Sequence, residues 1–378
     1  MSDMPIARPL LAALAASLIV AAPGAAIDEP PARPQLTVGV VPQRDYDSVD
    51  TAMMDAAGIE SIRVWLPWSQ IESVRGHYDW SATDAAIRRG AEAGLASFPF
   101  LFTEPDWAIE LDGHDCFDRC ATYAPSSATT RDAYAGFAGA AVRRYGPDGT
   151  FWADHPELPY LPIHSWQIWN EQNAPAFFGP RPDPELYAAM LRPAAREIRG
   201  ADPDAEIVLG GMFSARDRSG GVVGSAHYLR EFYEVGDVAD SFDSIAIHPY
   251  ARHVHEVFAQ IGAMRSVARQ VGDGSVGLWV TELGWASRGR RSLGLVTDRA
   301  GQARRLKRSF SRLVHDRDRL NLRGVFWYAW RDTEHGAAVC SWCPHSGLIS
   351  RAGVAKPAYD ELRDIALRVD QGGSDGLG

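Results

Sequence analysis

The chain has 378 residues, 46% hydrophobic and 23% charged, a globular composition long enough for one large domain or two medium ones. Its formal net charge of −10, from 38 Lys and Arg against 48 Asp and Glu, offers nucleic acid no basic footprint to grip. A neutral partner suits that balance better.

The first segment, MSDMPIARPLLAALAASLIVAAPGAAIDEP, carries Arg8, then an Ala/Leu/Ile/Val run over residues 10–22, then the small residues Gly24, Ala25 and Ala26. That order predicts a secretory signal peptide over residues 1–26, cut near Ala26 and Ile27. An uncleaved membrane anchor would need ~20 strongly apolar residues, and this run is shorter and largely alanine. No later stretch is apolar enough to span, so stable membrane insertion is not expected. The mature chain is expected in the periplasm or outside the cell.

From residue 36 onward, short β-branched or aromatic runs recur, each followed by a longer amphipathic stretch. The strand candidates are LTVGVVP (36–42), SIRVWLPW (61–68), ASFPFLF (96–102), SWQIWNE (165–171), EIVLGGM (206–212), DSIAIHPY (243–250), VGLWVTELGW (276–285) and RGVFWYAW (323–330). Helical patterns with Gly or Asp-Pro stops lie between them, such as WSATDAAIRRGAEAG and DPELYAAMLRPAAREIRGADPDA. In DRAGQARRLKRSFSRLVHDRDRL, Ala303, Leu306, Phe310 and Leu313 share one face, leaving Arg304, Arg305, Lys307 and Arg308 as a solvated basic cluster. Eight strands alternating with eight helices predict an α/β fold, a single (β/α)8 barrel over residues 27–370 followed by a frayed tail over 371–378. The competing doubly wound sheet lacks its signature, since no GxGxxG follows the first strand.

Four cysteines fall in two close pairs, Cys116 and Cys120 in CFDRC, and Cys340 and Cys343 in CSWC. In an exported chain these predict disulfides, either two local bridges or cross-links between the two loops. A zinc site built from all four thiolates is the lesser reading, because no compact finger surrounds them.

In such a barrel, chemistry gathers where strands end at their carboxyl side. Strand four ends in Asn170 and Glu171. Strand seven delivers Glu282, which shares a parity with Leu278 and Val280 and so is read as continuing an inward row. Two facing carboxylates are what glycoside hydrolysis requires: one protonates the leaving oxygen while the other attacks the anomeric carbon or activates a water. Arg63 on strand two can keep the attacking carboxylate ionised, and His248 and Tyr250 on strand six can hydrogen-bond a carboxylate or a sugar hydroxyl. The chain has twelve tryptophans. Trp327 and Trp330 on strand eight, with Trp65, Trp68, Trp169 and Trp285, are candidates for stacking on sugar rings.

WxIWNE, HPY, TELGW and FWYAW, with RVWLPWSQIESVRGHYDWSATDAAI (63–87), TEPDWA (103–108), WNEQN (169–173), DPELYAAML (183–191) and GLISRAGVAKPAY (347–359), resemble the clan A glycoside hydrolases. Within the clan, the chain looks most like family 39 and its cellulase-like neighbours. The resemblance implies Glu171 as acid/base, Glu282 as nucleophile and retention of anomeric configuration. It implies Asn170 on the sugar 2-hydroxyl, Arg63, His248 and Tyr250 around the pair, and Trp327 beneath the reacting sugar, with Trp330 ranked below it and Trp68 and Trp285 as further substrate contacts. Gln172 departs from the usual proline, which puts the shape of the following loop in question. The implied mechanism needs Glu171 protonated and Glu282 ionised near neutral pH, with no cofactor and no metal. The implied partner is an oligo- or polysaccharide, most simply β-linked, and the implied state is a monomer.

Two other readings fit some of these residues. A non-catalytic carbohydrate-binding barrel would keep the tryptophans for sugar and use the glutamates as polar contacts. A metal-dependent hydrolase would use His248, His253 and His255, although no second His/Asp cluster ends another strand. The identity of the sugar and the choice between chain-cutting and end-trimming lie in loop shapes.

Overall fold

Apolar runs rich in Val, Ile, Leu and Phe, covered on both faces, form parallel strands. In the computed structural model they are β1 (Thr37–Val41), β2 (Ser61–Pro67), β3 (Ala96–Phe102), β4 (Ser165–Ile168), β5 (Glu206–Leu209), β6 (Ser244–His248), β7 (Gly277–Leu283) and β8 (Leu322–Tyr328). The structure describes Met1 and residues 36–43, 45–111, 120–214, 219–290, 294–334 and 340–370. The expected signal segment, Cys116 and the expected tail lie outside the described residues.

Each strand pairs in parallel with its successor, β5 meets β6 through Val208 and Ser244, and β1 pairs with β8 along Thr37–Val41. The ring is closed, so no strand edge is exposed. A two-residue strand, Met212–Phe213, extends β5 past Gly210 and Gly211 and pairs with β6.

Among the described residues, a long helix follows every strand: α1 (Ser48–Ala56), α2 (Ser81–Glu92), α3 (Ala128–Tyr145), α4 (Pro184–Ala201), α5 (Ser225–Tyr233), α6 (Val254–Gln270), α7 (Arg299–His315) and α8 (Pro357–Asp370). This is the (β/α)8 barrel that the alternation predicts. Local signals start the helices: Asp183 caps α4 by accepting from the Leu186 amide with Pro184 in the first turn, and Asp298 does the same for α7 at Gly301. Ala303, Leu306, Phe310 and Leu313 of α7 are buried while Arg304, Lys307 and Arg308 are exposed. Arg305 departs from the expected basic face, being half-buried with its guanidinium 5.9 Å from the Trp285 ring.

Side chains fill the barrel. Val41, Phe98, Val208, Ala246, Trp279 and Phe326 form one inner cluster, with Phe98 4.5 Å from Trp279 and 5.2 Å from Phe326 between ring centroids. Gly39 and Gly324 make room for it, because a Cβ at either would lie 2.3 Å from the Phe326 or Trp279 ring. A solid interior of this kind confines a ligand to the mouth. Among the described residues, no helix is long and apolar enough to cross a membrane.

The inner cluster corrects one step of the sequence reading. Trp279, not Leu278 or Val280, faces the barrel axis on β7, whereas Leu278 and Val280 belong to the layer against the helices. The register against β8 then slips between Val280 and Leu283, where three steps on β7 match two on β8. That irregularity turns Glu282 inward by re-phasing the strand, a use of bulges that alternation in the sequence does not reveal.

Candidate active site

At the end of β4 the chain turns sharply, with Trp169 and Glu171 at φ 68° and 50°, the left-handed region that non-glycine residues seldom occupy. The turn is held from several sides. The Trp169 indole donates to the Phe177 carbonyl, and the Glu171 amide donates to the Gly211 carbonyl. Gln172, which stands where proline was expected, is fully buried and donates to the Gly210 carbonyl at 3.0 Å. Its side chain uses the space a Cβ on Gly210 would take, 2.1 Å from Oε1. Asn173 donates to the Phe213 and Val223 carbonyls and accepts from the Phe213 amide, tying the β4 loop to the end of β5. The departure at Gln172 thus has a place in the fold, as part of a polar clamp beneath Glu171.

Glu171 and Glu282 meet at the mouth, and His248 lies between them. His248 Nδ1 is 2.7 Å from Glu171 Oε1 and 3.7 Å from Glu282 Oε2, and its Nε2 is 3.0 Å from the Thr281 hydroxyl. A Cβ on Gly211 would lie 2.1 Å from that Nε2, so glycine there admits the imidazole. Arg63 donates to Glu282 at 2.5 Å, to Asn170 Oδ1 at 2.8 Å and to Gln167 at 3.2 Å, with its guanidinium 4.0 Å from the Phe100 ring centroid. The Tyr250 hydroxyl donates to the other Glu282 oxygen at 2.7 Å. Glu171, Glu282, Arg63, Asn170, His248 and Tyr250 are therefore brought together as the sequence expects.

The electrostatics separate the two glutamates. Burial raises the Glu171 carboxyl above its usual range; His248 and Arg63 pull against that rise, and the Glu282 charge adds to it. Burial also pushes Glu282 upward, but His248, Arg63 and the Tyr250 hydrogen bond outweigh it and leave the carboxyl below its usual value. The Tyr250 hydroxyl stays protonated, raised by burial and then by the Glu282 charge.

The tryptophans behave differently. Trp327 is fully buried on the helix side of β8, packed against Trp285 and Phe310, with its indole donating to the Ser346 carbonyl. Trp285 is fully buried and donates to the Ala251 carbonyl, Trp68 donates to Glu72 within a cluster with Trp107, Tyr134 and Phe137, and Trp330 donates to Asp50. The structure does not bring Trp68, Trp285, Trp327 or Trp330 to the glutamate pair. For Trp327 the physical reason is parity: Phe326 and Tyr328 belong to the inner cluster on β8, so Tyr328 occupies the place expected of Trp327, while Trp330 lies beyond the end of the strand with its indole turned to Asp50 of α1.

Three groups escaped the sequence reading. Tyr328 lines the cavity beside Glu282, and Trp342 of the CSWC turn packs on Tyr250 at 4.9 Å and on Tyr328 at 5.7 Å. Cys340 and Cys343 are bridged, with Cα atoms 5.5 Å apart, which closes the turn that carries Trp342. Cys120 is also in a disulfide. Glu104, just beyond β3, is buried with neither oxygen hydrogen-bonded, and burial, helped by Glu110, pushes its carboxyl up to about 9. The sequence signal for Tyr328 was present in FWYAW and needed only the correct strand phase.

Glu171, His248 and Glu282 each offer a ligand atom, all within 4.8 Å of one another, a spacing that a metal ion could use. Both Glu282 oxygens are already engaged by the Arg63 and Tyr250 donors, and the Arg63 guanidinium already sets a positive charge against that carboxylate. His253 and His255 stack on each other, exposed at the start of α6, and do not join this cluster.

Fold and site together define a (β/α)8 barrel with a hydrogen-bonded carboxylate pair at the carboxyl ends of β4 and β7. No known family model matches the sequence, and no curated protein matches it. Solved structures do match. A family 39 glycoside hydrolase from Bacteroides cellulosilyticus is 20% identical, with a TM-score of 0.64 over 88% of this chain and 64% of its own. A monomeric β-xylosidase from Caulobacter crescentus is 17% identical (TM-score 0.62, 88% and 67%), and an exo-β-1,4-mannosidase from an Opitutaceae bacterium is 16% identical (TM-score 0.59, 89% and 60%). The chain thus spans 60% to 67% of the length of these neighbours, which share its fold.

Proposed function

We propose that the chain is a retaining glycoside hydrolase of the clan A type, with Glu282 as nucleophile and Glu171 as acid/base. One observation carries the reading: an oxygen of Glu171 and an oxygen of Glu282 lie within 4.8 Å. Retaining enzymes hold their carboxyl groups about 5–5.5 Å apart, whereas inverting ones leave roughly 6.5–9.5 Å for a water. The opposed shifts of the two groups supply the matching protonation states, and the solved neighbours named as glycosidases support the class.

In the first step a Glu282 oxygen attacks the anomeric carbon as the bond to the leaving oxygen breaks, and the proton on Glu171 passes to that oxygen. Arg63 and Tyr250 hold Glu282 ionised and aimed. Once Glu282 is esterified its charge is gone, the Glu171 carboxylate becomes the base, and a water it activates returns the sugar with retained configuration. Asn170, fixed by Arg63, faces the sugar 2-hydroxyl, and Tyr328 supplies the apolar surface assigned from sequence to Trp327. One copy of the chain provides all these groups, so a monomer suffices. Residues 1–26 direct export, and the mature chain would begin near Ile27.

The test is a panel of aryl β-glycosides and β-linked polysaccharides assayed with the wild type and Glu282→Gln. The reading expects turnover by the wild type, lost in the variant and indifferent to a chelator. Equal activity in both proteins, or saccharide binding without turnover by either, would favour the non-catalytic barrel. Chelator-sensitive turnover would favour the metal hydrolase.

A further inference from the structure

The cavity at the barrel mouth continues away from Glu282. It encloses about 510 Å³ and runs from Asn170, Glu282 and Tyr328 toward the ends of β1 and β2 and the flank of α2. Trp65 stands in this extension. It is two residues beyond Arg63 on the same inward row of β2, its register partner is Phe100, and it is 43% exposed, unlike the buried tryptophans described above. An indole left open to solvent inside a cleft is an exposed apolar face that a ligand can cover. Tyr46 lines the same limb and is held rigidly, its hydroxyl donating to the Ala86 carbonyl and Arg89 lying 5.6 Å from its ring.

The direction of this limb matters. Glu171 comes from β4 and turns toward His248 on β6, so a leaving group protonated by Glu171 departs on the β4–β6 side. The limb lies on the opposite side of Glu282, along β1 to β3, where the retained part of the substrate must extend.

Resting on the glycosidase reading, we propose that this limb is a binding subsite for a second sugar on the non-reducing side of the scissile bond. Trp65 is its stacking face. The substrate class is then a β-linked chain rather than a simple monoglycoside, and the glycone released contains at least two sugar units. A full-length monosaccharide pocket would instead be closed at this end.

The experiment compares aryl β-monosaccharides with aryl β-disaccharides of the same sugar, in the wild type, Trp65→Ala and Trp65→Phe. The wild type should prefer the disaccharide in kcat/KM by roughly tenfold or more, a stacking contact's worth of discrimination. That preference should collapse in Trp65→Ala and return in part in Trp65→Phe. A wild-type preference for the monosaccharide, or one that survives Trp65→Ala, overturns the proposal. Calorimetric titration of Glu282→Gln with oligosaccharides of one to four units gives an arm independent of turnover. Affinity that rises from one unit to two and is lost with Trp65→Ala supports the subsite even if hydrolysis fails, and affinity flat from one unit to four refutes it.

Discussion

Glu171 and Glu282 lie within one cluster and are similarly enclosed, their side chains 8% and 13% exposed, yet their surroundings drive them in opposite directions. Burial favours the neutral acid in both. Glu282 receives hydrogen bonds from a guanidinium and a phenol as well as the influence of His248; Glu171 has His248 as its close partner and the Glu282 charge against it. The difference teaches that the set of partners, not the depth of burial, decides which of two neighbouring carboxyls ionises.

Breaking the comparison at Glu282 should have the largest effect. Glu282→Gln removes the attacking oxygen, and hydrolysis should fall below detection while circular dichroism and saccharide binding persist. Glu171→Gln removes a proton donor, a loss of roughly 10²–10⁴-fold for poor leaving groups. It should be much milder for activated aryl glycosides, and added azide should restore turnover by attacking the anomeric carbon of the sugar held on Glu282, which releases the carboxylate and a glycosyl azide.

The pH profile sharpens the comparison. Activity requires Glu282 ionised, which holds above a pKa lowered from 4.5, and Glu171 protonated, which holds below a pKa raised from 4.5. The expected curve is a bell whose limbs straddle that value, and Glu171→Gln should abolish the alkaline limb alone. Arg63→Lys should move the acid limb to higher pH, because a point charge replaces the fork that joins Glu282 to Asn170. A profile with its acid limb unmoved would remove Arg63 from the account. Tyr250→Phe deletes one hydrogen bond to a charged group, worth about 1.5–3 kcal/mol, so kcat/KM should drop by about ten- to a hundred-fold.

Glu104→Gln should have the smallest effect on turnover and a visible one on stability. A carboxyl whose folded pKa is raised to about 9 contributes best below its unfolded value and loses that contribution as pH climbs toward 9. The neutral amide removes this loss, so melting temperature should rise on the order of 2–4 °C at pH 8 and change little at pH 4.

Much of this was legible in the sequence, and for definite reasons. Short apolar runs bounded by turn residues, such as ASFPFLF and EIVL, read as covered strands, and SWQIWNE and VTELGW carry a carboxylate past the apolar end of a run. Strand phase was not legible. Leu278, Val280 and Glu282 share a parity, but only the register slip beside β8 brings Glu282 inward while Leu278 and Val280 pack against helices. The same error of phase exchanged Trp327 for Tyr328. Tryptophan count was a poor guide as well, because an indole fills space between helices and strands as readily as it stacks on a sugar, and its one N–H is satisfied by a carbonyl in either place. Gln172 looked anomalous for want of Gly210, whose missing Cβ gives it room.

The central claim is that Glu282 attacks the anomeric carbon, and trapping the enzyme with an activated 2-deoxy-2-fluoro-β-glycoside tests it most directly. Peptide mass spectrometry of the inactivated protein should find one fluoroglycosyl group, carried on Glu282. A label on Glu171 or another residue, or continued turnover of the natural-type substrate with no labelled peptide, would contradict the account.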